Sequence, residues 1–331
     1  MHADNPDPTY FDDMLASCVS LATLAPSSHN TQPWRFRIRG EYVDLIADRS
    51  RALPVSDPED RELTISCGAA LFTLRVAVSA RGFGTLVETL PVPDDQDLLA
   101  RVTPVSSYFH HIADTAPLTQ AVKQRRTYRK PFIAETIPES TVRSLCESAA
   151  RERATLVAIE EDSPRRRLLA LVEQADQQLW SDVHWRRELS AWMHPRRQGE
   201  GFGIPGLAHA AAQLVARSFD QGGGIPARGE QLLEGSPLLV VLCTSTDTSA
   251  DWLAAGQALQ RVLLRACADG LQASFLNQPL HLPNLREQVA QLLPGAGVPQ
   301  LILRLGRPVD RLAPVVRRPL DQVMDLDLMA H

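Results

Sequence analysis

Three short runs in this 331-residue chain carry residue types able to hold a small ligand. The first is Ala25-Pro26-Ser27-Ser28-His29-Asn30-Thr31-Gln32-Pro33-Trp34. Two prolines fix the backbone there while Ser27, Ser28 and Asn30 offer small donors and acceptors, a composition suited to gripping the edge of a planar polar ligand. An ordinary loop with capping hydroxyls has the same composition. The second run, Arg125-Arg126-Thr127-Tyr128-Arg129-Lys130-Pro131-Phe132, places four cations within six residues and a hydroxyl among them. That exceeds what a helix C-terminus gains from its dipole and suits an anion clamp, in which each charge-assisted bond to phosphate contributes roughly 1.5–3 kcal/mol. A solvated basic turn is the alternative. The third, Val315-Val316-Arg317-Arg318-Pro319-Leu320, again sets paired Arg before a Pro and is weak alone. His29, His184, His194 and His209 are candidates for acid or base work, although a lone His is more often packed or exposed. No residue is singled out as catalytic, and no metal-ligand spacing is written in the chain.

The elements that would position these runs follow from periodicity. Helices are expected over residues 11–24, 117–126, 139–151, 165–179 and 208–219, and strands over 34–39, 42–47, 155–159, 238–243 and 301–305. A repeat organises them. Gly68-Ala69-Ala70-Leu71 is followed fourteen residues after its Gly by Gly82, Gly256-Gln257-Ala258-Leu259 is followed at the same interval by Gly270, and Pro91 and Pro279 keep the same offset of 188. Leu71, Leu74, Val76 and Val78 in one copy, and Leu259, Val262, Leu263 and Ala266 in the other, have the spacing of an amphipathic helix ending at a Gly C-cap. The expectation is an α+β protein made of two half-chains of one pattern, residues 10–112 and 113–325, with mixed sheets packed by long helices. The second half holds an excursion over residues 180–235, rich in Gly and Trp. A mobile flap over a site and a solvated loop both fit it.

Composition narrows the function classes. Lys and Arg number 34 against 39 Asp and Glu, a formal charge of −5, which speaks against a dedicated nucleic-acid binder. Hydrophobic residues at 44% and charged residues at 22% fit a globular protein with a large core. No apolar run approaches the ~20 residues of a membrane span, and residues 1–10 are acidic and Pro-rich where a signal peptide is basic and then apolar. A cytoplasmic protein without membrane contact is expected. Cys18, Cys67, Cys146, Cys243 and Cys267 are odd in number and far apart, as reduced core residues would be.

Together the runs resemble the FMN-dependent nitroreductase family. The resemblance rests on Pro-Ser-x-x-Asn-x-Gln-Pro-Trp over residues 26–34, Arg-Arg-Thr-x-Arg over 125–129, Gly270-Leu271 at a helix end, Gly306-Arg307-Pro308 at a strand end and the late Arg-x-Pro-Leu at 317–320. The double length and Asp57-Pro58-Glu59-Asp60-Arg61-Glu62-Leu63 look most like its Acg-type branch, and the likeness covers residues 10–323. Ordinary members are homodimers with FMN at the subunit interface, one subunit giving the Pro-Ser run and the other the Arg run and the late Arg. Here each half keeps only one share. The resemblance therefore implies a nitroreductase-like fold duplicated in one chain, an intramolecular pseudo-dimer with one working FMN site that a monomer could complete.

Residue by residue, the resemblance implies phosphate and ribityl contacts for Arg125 and Thr127, and a late phosphate contact for Arg317. Arg129 matches a cation near the flavin pyrimidine edge, where it would stabilise the negative charge of the reduced cofactor. Pro26, Ser27, Ser28 and Asn30 match the contacts from the other subunit, and Asn277 and Gln278 match the segment whose backbone N–H faces flavin N5. The implied activity is hydride transfer from NAD(P)H through flavin N5 to a nitroaromatic, quinone or unsaturated compound. In typical members the excursion falls between strand and long helix, where this chain has only residues 244–251, so the substrate pocket is not carried over. A protein that sequesters FMN beneath the excursion without turnover is the alternative.

Overall fold

The computed structural model describes residues 8–106, 112, 114–193, 199–201 and 235–326. The helix expected over 208–219, most of the excursion, and His194 and His209 lie outside the described residues.

Two sheets share one strand order. In the first, β1 (Trp34–Arg39) and β2 (Tyr42–Ala47) form a hairpin, β4 (Leu98–Val105) pairs with β2 and β3 (Gly84–Thr89) with β4, all antiparallel. The late strand β9 (Met324–Leu326) joins β1 in parallel, giving the order β3-β4-β2-β1-β9. The second sheet, of β5 (Thr155–Ala158), β6 (Leu238–Thr244), β7 (Gln272–Phe275) and β8 (Val298–Gly306), runs β7-β8-β6-β5 and is antiparallel throughout. Only the first sheet is therefore mixed. Helix α1 (Pro8–Ala22) precedes the first sheet and α2 (Arg61–Ser79) follows β2. Helix α3 (Thr115–Gln124) leads out of the first half, α4 (Glu139–Ala150) precedes β5, and α7 (Ser249–Ala268) follows β6. Between β5 and β6 stand α5 (Asp162–Ser181) and α6 (Val183–Trp192), and α8 (Pro283–Gln291) lies between β7 and β8. The insertion thus begins before residue 180, because α5 already departs from the two-residue turn that joins β1 to β2.

Burial explains the strand patterns. β1 alternates, with Trp34, Phe36 and Ile38 buried beneath α1 and α2. β6 is buried along its whole length: Val240 and Leu242 pack with Leu145 of α4 and Leu259 of α7, while Leu239 and Val241 pack with Leu168 of α5 and Leu285 of α8. Helix α2 departs from the amphipathic expectation. Every residue of it except Arg75 is buried, since α1, the first sheet and α7 all pack on it. Among the described residues it is the one helix long and apolar enough to cross a membrane, and 94% of that window is buried inside the protein.

The two long helices meet at the repeated glycines. A Cβ at Gly68 would lie 2.3 Å from Leu253 O, and one at Gly256 would lie 2.0 Å from Ile65 O. Both pairings link residues 188 apart to their counterparts, so the contact is reciprocal, and only glycine lets the backbones approach so closely. The helix ends correspond too: Phe83 N–H donates to Val78 O and Leu271 N–H to Ala266 O.

Candidate functional site

The first run is a strained loop held on all sides. His29, Asn30 and Gln32 have φ of 50°, 56° and 51°, left-handed values that non-glycine residues adopt at a cost of order 1 kcal/mol or more each. Gln32 N–H donates to Ser27 Oγ at 2.9 Å, and Ser28 Oγ donates to Glu62 Oε2 at 2.6 Å. Asn30 Nδ2 donates to Gly201 O at 3.1 Å and Gln32 Nε2 to Gly199 O at 2.7 Å, while Arg318 N–H donates to Gln32 Oε1 at 2.9 Å. The loop therefore meets both the third run and the described turn of the excursion. Gly199 is required there, because a Cβ would stand 2.5 Å from Arg317 O.

The second run leaves α3 and lies along the edge strand of the second sheet. Thr127 bridges Ala273, and Tyr128 N–H donates to Ala273 O at 2.8 Å. Tyr128 is buried, stacks on Phe132 at 5.3 Å and donates from its hydroxyl to Asp310 at 2.8 Å. Lys130 pairs with the same Asp310 on the surface. Of the four clustered cations, Arg125 turns inward: it is 5% exposed, and its guanidinium donates to Leu24 O at 3.1 Å. From the third run, Arg317 donates to Thr23 O at 2.9 Å and to Leu24 O and Ala25 O at 3.2 Å.

Two guanidiniums thus converge on the carbonyls that follow α1. Among the described residues neither is bonded to a carboxylate, and Arg125 Nε is buried without an acceptor. Burial and then the neighbouring Arg317 lower the Arg125 pKa to about 9, and burial followed by Arg126 lowers Arg317 to about 10. Both stay charged at neutral pH, so the site carries positive charge withdrawn from water with no counter-charge among the described residues, a costly state unless an anion joins it.

Two adjoining cavities surround these groups. One of about 320 Å³ is lined by Arg125, Arg126, Arg317 and Asn30, and no Asp or Glu is among its described lining residues. The other, about 710 Å³, is lined by Ser28, Asn277, Gln278, Trp180 and Trp185 among others, a size typical of small-ligand sites. Pro26, Ser27, His29, Thr127 and Arg129 line both. All ten residues singled out from the sequence as ligand contacts border one cavity or both. Gln278 Oε1 is buried without a partner, and the Asn277 and Gln278 backbone N–H groups enter no hydrogen bond among the described residues. The Asn277 side chain is engaged, with Nδ2 donating to Glu62 at 3.1 Å and Oδ1 accepting from Ile302 N–H at 3.0 Å.

The cavity wall also contains residues that spacing did not single out. Glu62 and His281 lie 3.1 Å apart on it, and Trp180 of α5 and Trp185 of α6 stack edge to face at 5.3 Å on another side. Helix α6 is fastened to the first half through Glu188, which accepts from Val55 N–H at 2.8 Å and Ser56 N–H at 3.0 Å. Asp57, in the acidic stretch before α2, caps that helix by accepting from Glu62 N–H at 3.0 Å and Leu63 N–H at 2.8 Å. That stretch was the available signal for Glu62. Of the four candidate histidines, His184 is exposed, whereas His29 lines both cavities and burial lowers its pKa to about 4.

Comparisons with known proteins bear on the whole chain. No family model matches it. It is 33% identical over 328 residues to a Mycobacterium tuberculosis protein named as an NAD(P)H nitroreductase, covering 96% of this chain and 93% of the relative. It is 30% identical over 336 residues to Acg of the same organism, also named as an NAD(P)H nitroreductase, covering 98% and 99%. The crystal structure of the FMN-dependent nitroreductase NfnB from Mycobacterium smegmatis in complex with NADPH overlaps 63% of this chain and 97% of its own, at 18% identity and a TM-score of 0.41. On the strength of the two full-length relatives, the chain belongs to the NAD(P)H nitroreductase family, with Acg among its relatives.

Proposed function

We propose that the chain is an FMN-dependent oxidoreductase in which two nitroreductase-like halves, residues 10–112 and 113–325, form an intramolecular pseudo-dimer around one FMN site. The observation that carries this reading is the pair of buried Arg125 and half-buried Arg317, which converge beside a cavity with no acidic residue among its described lining residues. A phosphate monoester would supply the missing negative charge. The residues present fit the rest of that cofactor: the larger cavity has room for a flat ring system, and the buried, unpartnered Arg125 Nε and Gln278 Oε1 offer a donor and an acceptor. The shared strand order and the reciprocal contact at Gly68 and Gly256 support the two halves.

In this reading Arg125, Thr127 and Arg317 hold the phosphate end, while Pro26, Ser27, Ser28 and Asn30 close the opposite wall. Arg129, bordering both cavities, offsets negative charge gained by the ring, and the N–H groups of Asn277 and Gln278 face it. Trp180, Trp185 and Leu189 exclude water from the larger cavity. Bound FMN would supply hydride exchange, from NAD(P)H to a small oxidant such as a nitroaromatic, a quinone or an unsaturated compound. The same aromatic wall favours a second reading, in which the protein sequesters FMN without turnover.

Anaerobic titration of the FMN-loaded protein with NADPH and NADH, followed by visible absorbance, separates the two. Bleaching by either nucleotide supports the oxidoreductase; bleaching by dithionite alone supports sequestration. A protein that cannot be loaded with FMN overturns both, and an obligate dimer sharing FMN between chains overturns the pseudo-dimer.

A further inference from the structure

Four side chains converge on the Glu62 carboxylate in the wall of the larger cavity: Ser28 from the first loop, Asn277 and His281 from one turn after β7, and the neighbouring Arg61. Ser28 Oγ donates to Oε2 at 2.6 Å, Asn277 Nδ2 and His281 Nε2 each lie 3.1 Å from Oε1, and the Arg61 guanidinium lies 3.5 Å from the same oxygen. The side chain is 6% exposed. Asn277 is fixed at its other end by Ile302 N–H, so the turn carrying Asn277 and Gln278 is clamped between α2 and β8. A carboxylate withdrawn from water persists only with such donors around it. Burial alone would raise its pKa, but His281, Arg61 and Ser28 outweigh burial and hold it ionised well below the usual carboxylate range.

Resting on the FMN reading above, we infer that Glu62 is a positioning residue that clamps the Ser28 loop, the Asn277 turn and His281 into one wall, and whose fixed negative charge opposes the gain of negative charge by a redox ligand in this cavity. Arg129 acts in the opposite sense from the shared wall. Among the described residues, the other charged or titratable groups nearby are Arg61 at the start of α2, Asp57 before it, His281 before α8, His29 in the strained loop, Asp176 on α5 and Arg304 of β8. Arg61 is drawn toward the second sheet, donating to Gln300 O at 2.7 Å and Gln300 Oε1 at 3.1 Å, so it only partly balances Glu62.

The test compares FMN-loaded wild type with Glu62→Gln, Glu62→Leu and Ser28→Ala, reading bound FMN after gel filtration and the ratio of reduced to oxidised flavin at a fixed potential set by a reference dye. Glu62→Gln keeps the shape and removes the charge, so it should retain FMN and raise the ratio about tenfold, equivalent to about 30 mV in the two-electron midpoint. Glu62→Leu also removes the acceptors and should weaken FMN binding at least tenfold. Ser28→Ala leaves the charge with one hydrogen bond fewer and should lower the ratio. An unchanged ratio in Glu62→Gln overturns the inference. Should Glu62→Gln fail to fold, Ser28→Ala decides: a lower ratio supports the inference, and an unchanged or higher one overturns it. A wild type that takes up no FMN overturns the proposed function together with this inference, whereas a loaded wild type whose variants leave the ratio unmoved overturns the role of Glu62 alone.

Discussion

Two pairs of arginines stand on opposite terms in this molecule. Arg75 of α2 and Arg261 of α7 grip one carboxylate, Glu152, at 2.7 Å and 2.8 Å. Among the described residues, Arg125 and Arg317 share only a carbonyl of the segment that follows α1, Leu24 O. The first pair is closed, each cation having its counter-charge built into the fold. The second is open, and the protein tolerates the repulsion beside a cavity. The difference teaches that a buried cation by itself says little; whether its anion comes from the same chain separates a structural pair from a binding one.

The contrast can be broken most sharply by removing the open pair. Arg125→Ala with Arg317→Ala should weaken FMN binding at least 100-fold, since each charge-assisted bond contributes roughly 1.5–3 kcal/mol, while the flavin-free protein melts no lower than wild type. Fluorescence titration with FMN and a thermal melt read both, and unaltered affinity would sink the phosphate assignment. In the closed pair the opposite holds. Glu152→Ala should cost about 3–5 kcal/mol of stability by leaving two cations unpaired, yet shift FMN affinity less than twofold. Denaturant unfolding checks it.

Acid adds positive charge beside the open pair at His29. His29 is neutral in the folded protein down to about pH 4, whereas the unfolded chain protonates it near 6.5. Its contribution is fully present above pH 6.5 and is lost as pH falls through 4, up to about 3 kcal/mol. His29→Asn, which suits the left-handed backbone, should flatten that limb of a stability profile between pH 7 and 4. Inorganic phosphate gives the smallest effect: at ten times its Kd it should stabilise the flavin-free protein by about 1.4 kcal/mol. The double Arg variant should show no such gain, and Glu152→Ala should keep it; an equal response from the double variant would argue against the open pair as the anion site.

Much of the candidate site was legible because its motifs are local. Two prolines and small polar residues mark the first loop, and clustered cations mark the second, without reference to distant contacts. β1 and β2 have the expected bounds, and β1 alternates because one of its faces is open while the other packs beneath α1 and α2. β3 and β4 were not foreseen: Thr, Glu, Arg and Pro104 interrupt their patterns, and pairing with each other and with β2 supplies what propensity does not. The amphipathic expectation for α2 failed because three neighbours cover it. Glu62 and His281 were missed for a similar reason, being 219 residues apart in the chain and meaningful only once they face one cavity.

Residue types and spacing alone marked the donors of the first run, the cations of the second and third, and the 188-residue repeat, since turn chemistry, charge density and helical period are properties of neighbouring residues. They did not separate Arg125 from Arg126, or Arg317 from Arg318. Folding does so, turning Arg125 and Arg317 inward onto Leu24 O, while Arg126 reaches Ala313 O on the exposed side and Arg318 lies 3.5 Å from Asp48. Whether a charge is buried, and whether an opposite charge meets it there, depends on segments hundreds of residues away, and that is decided by packing.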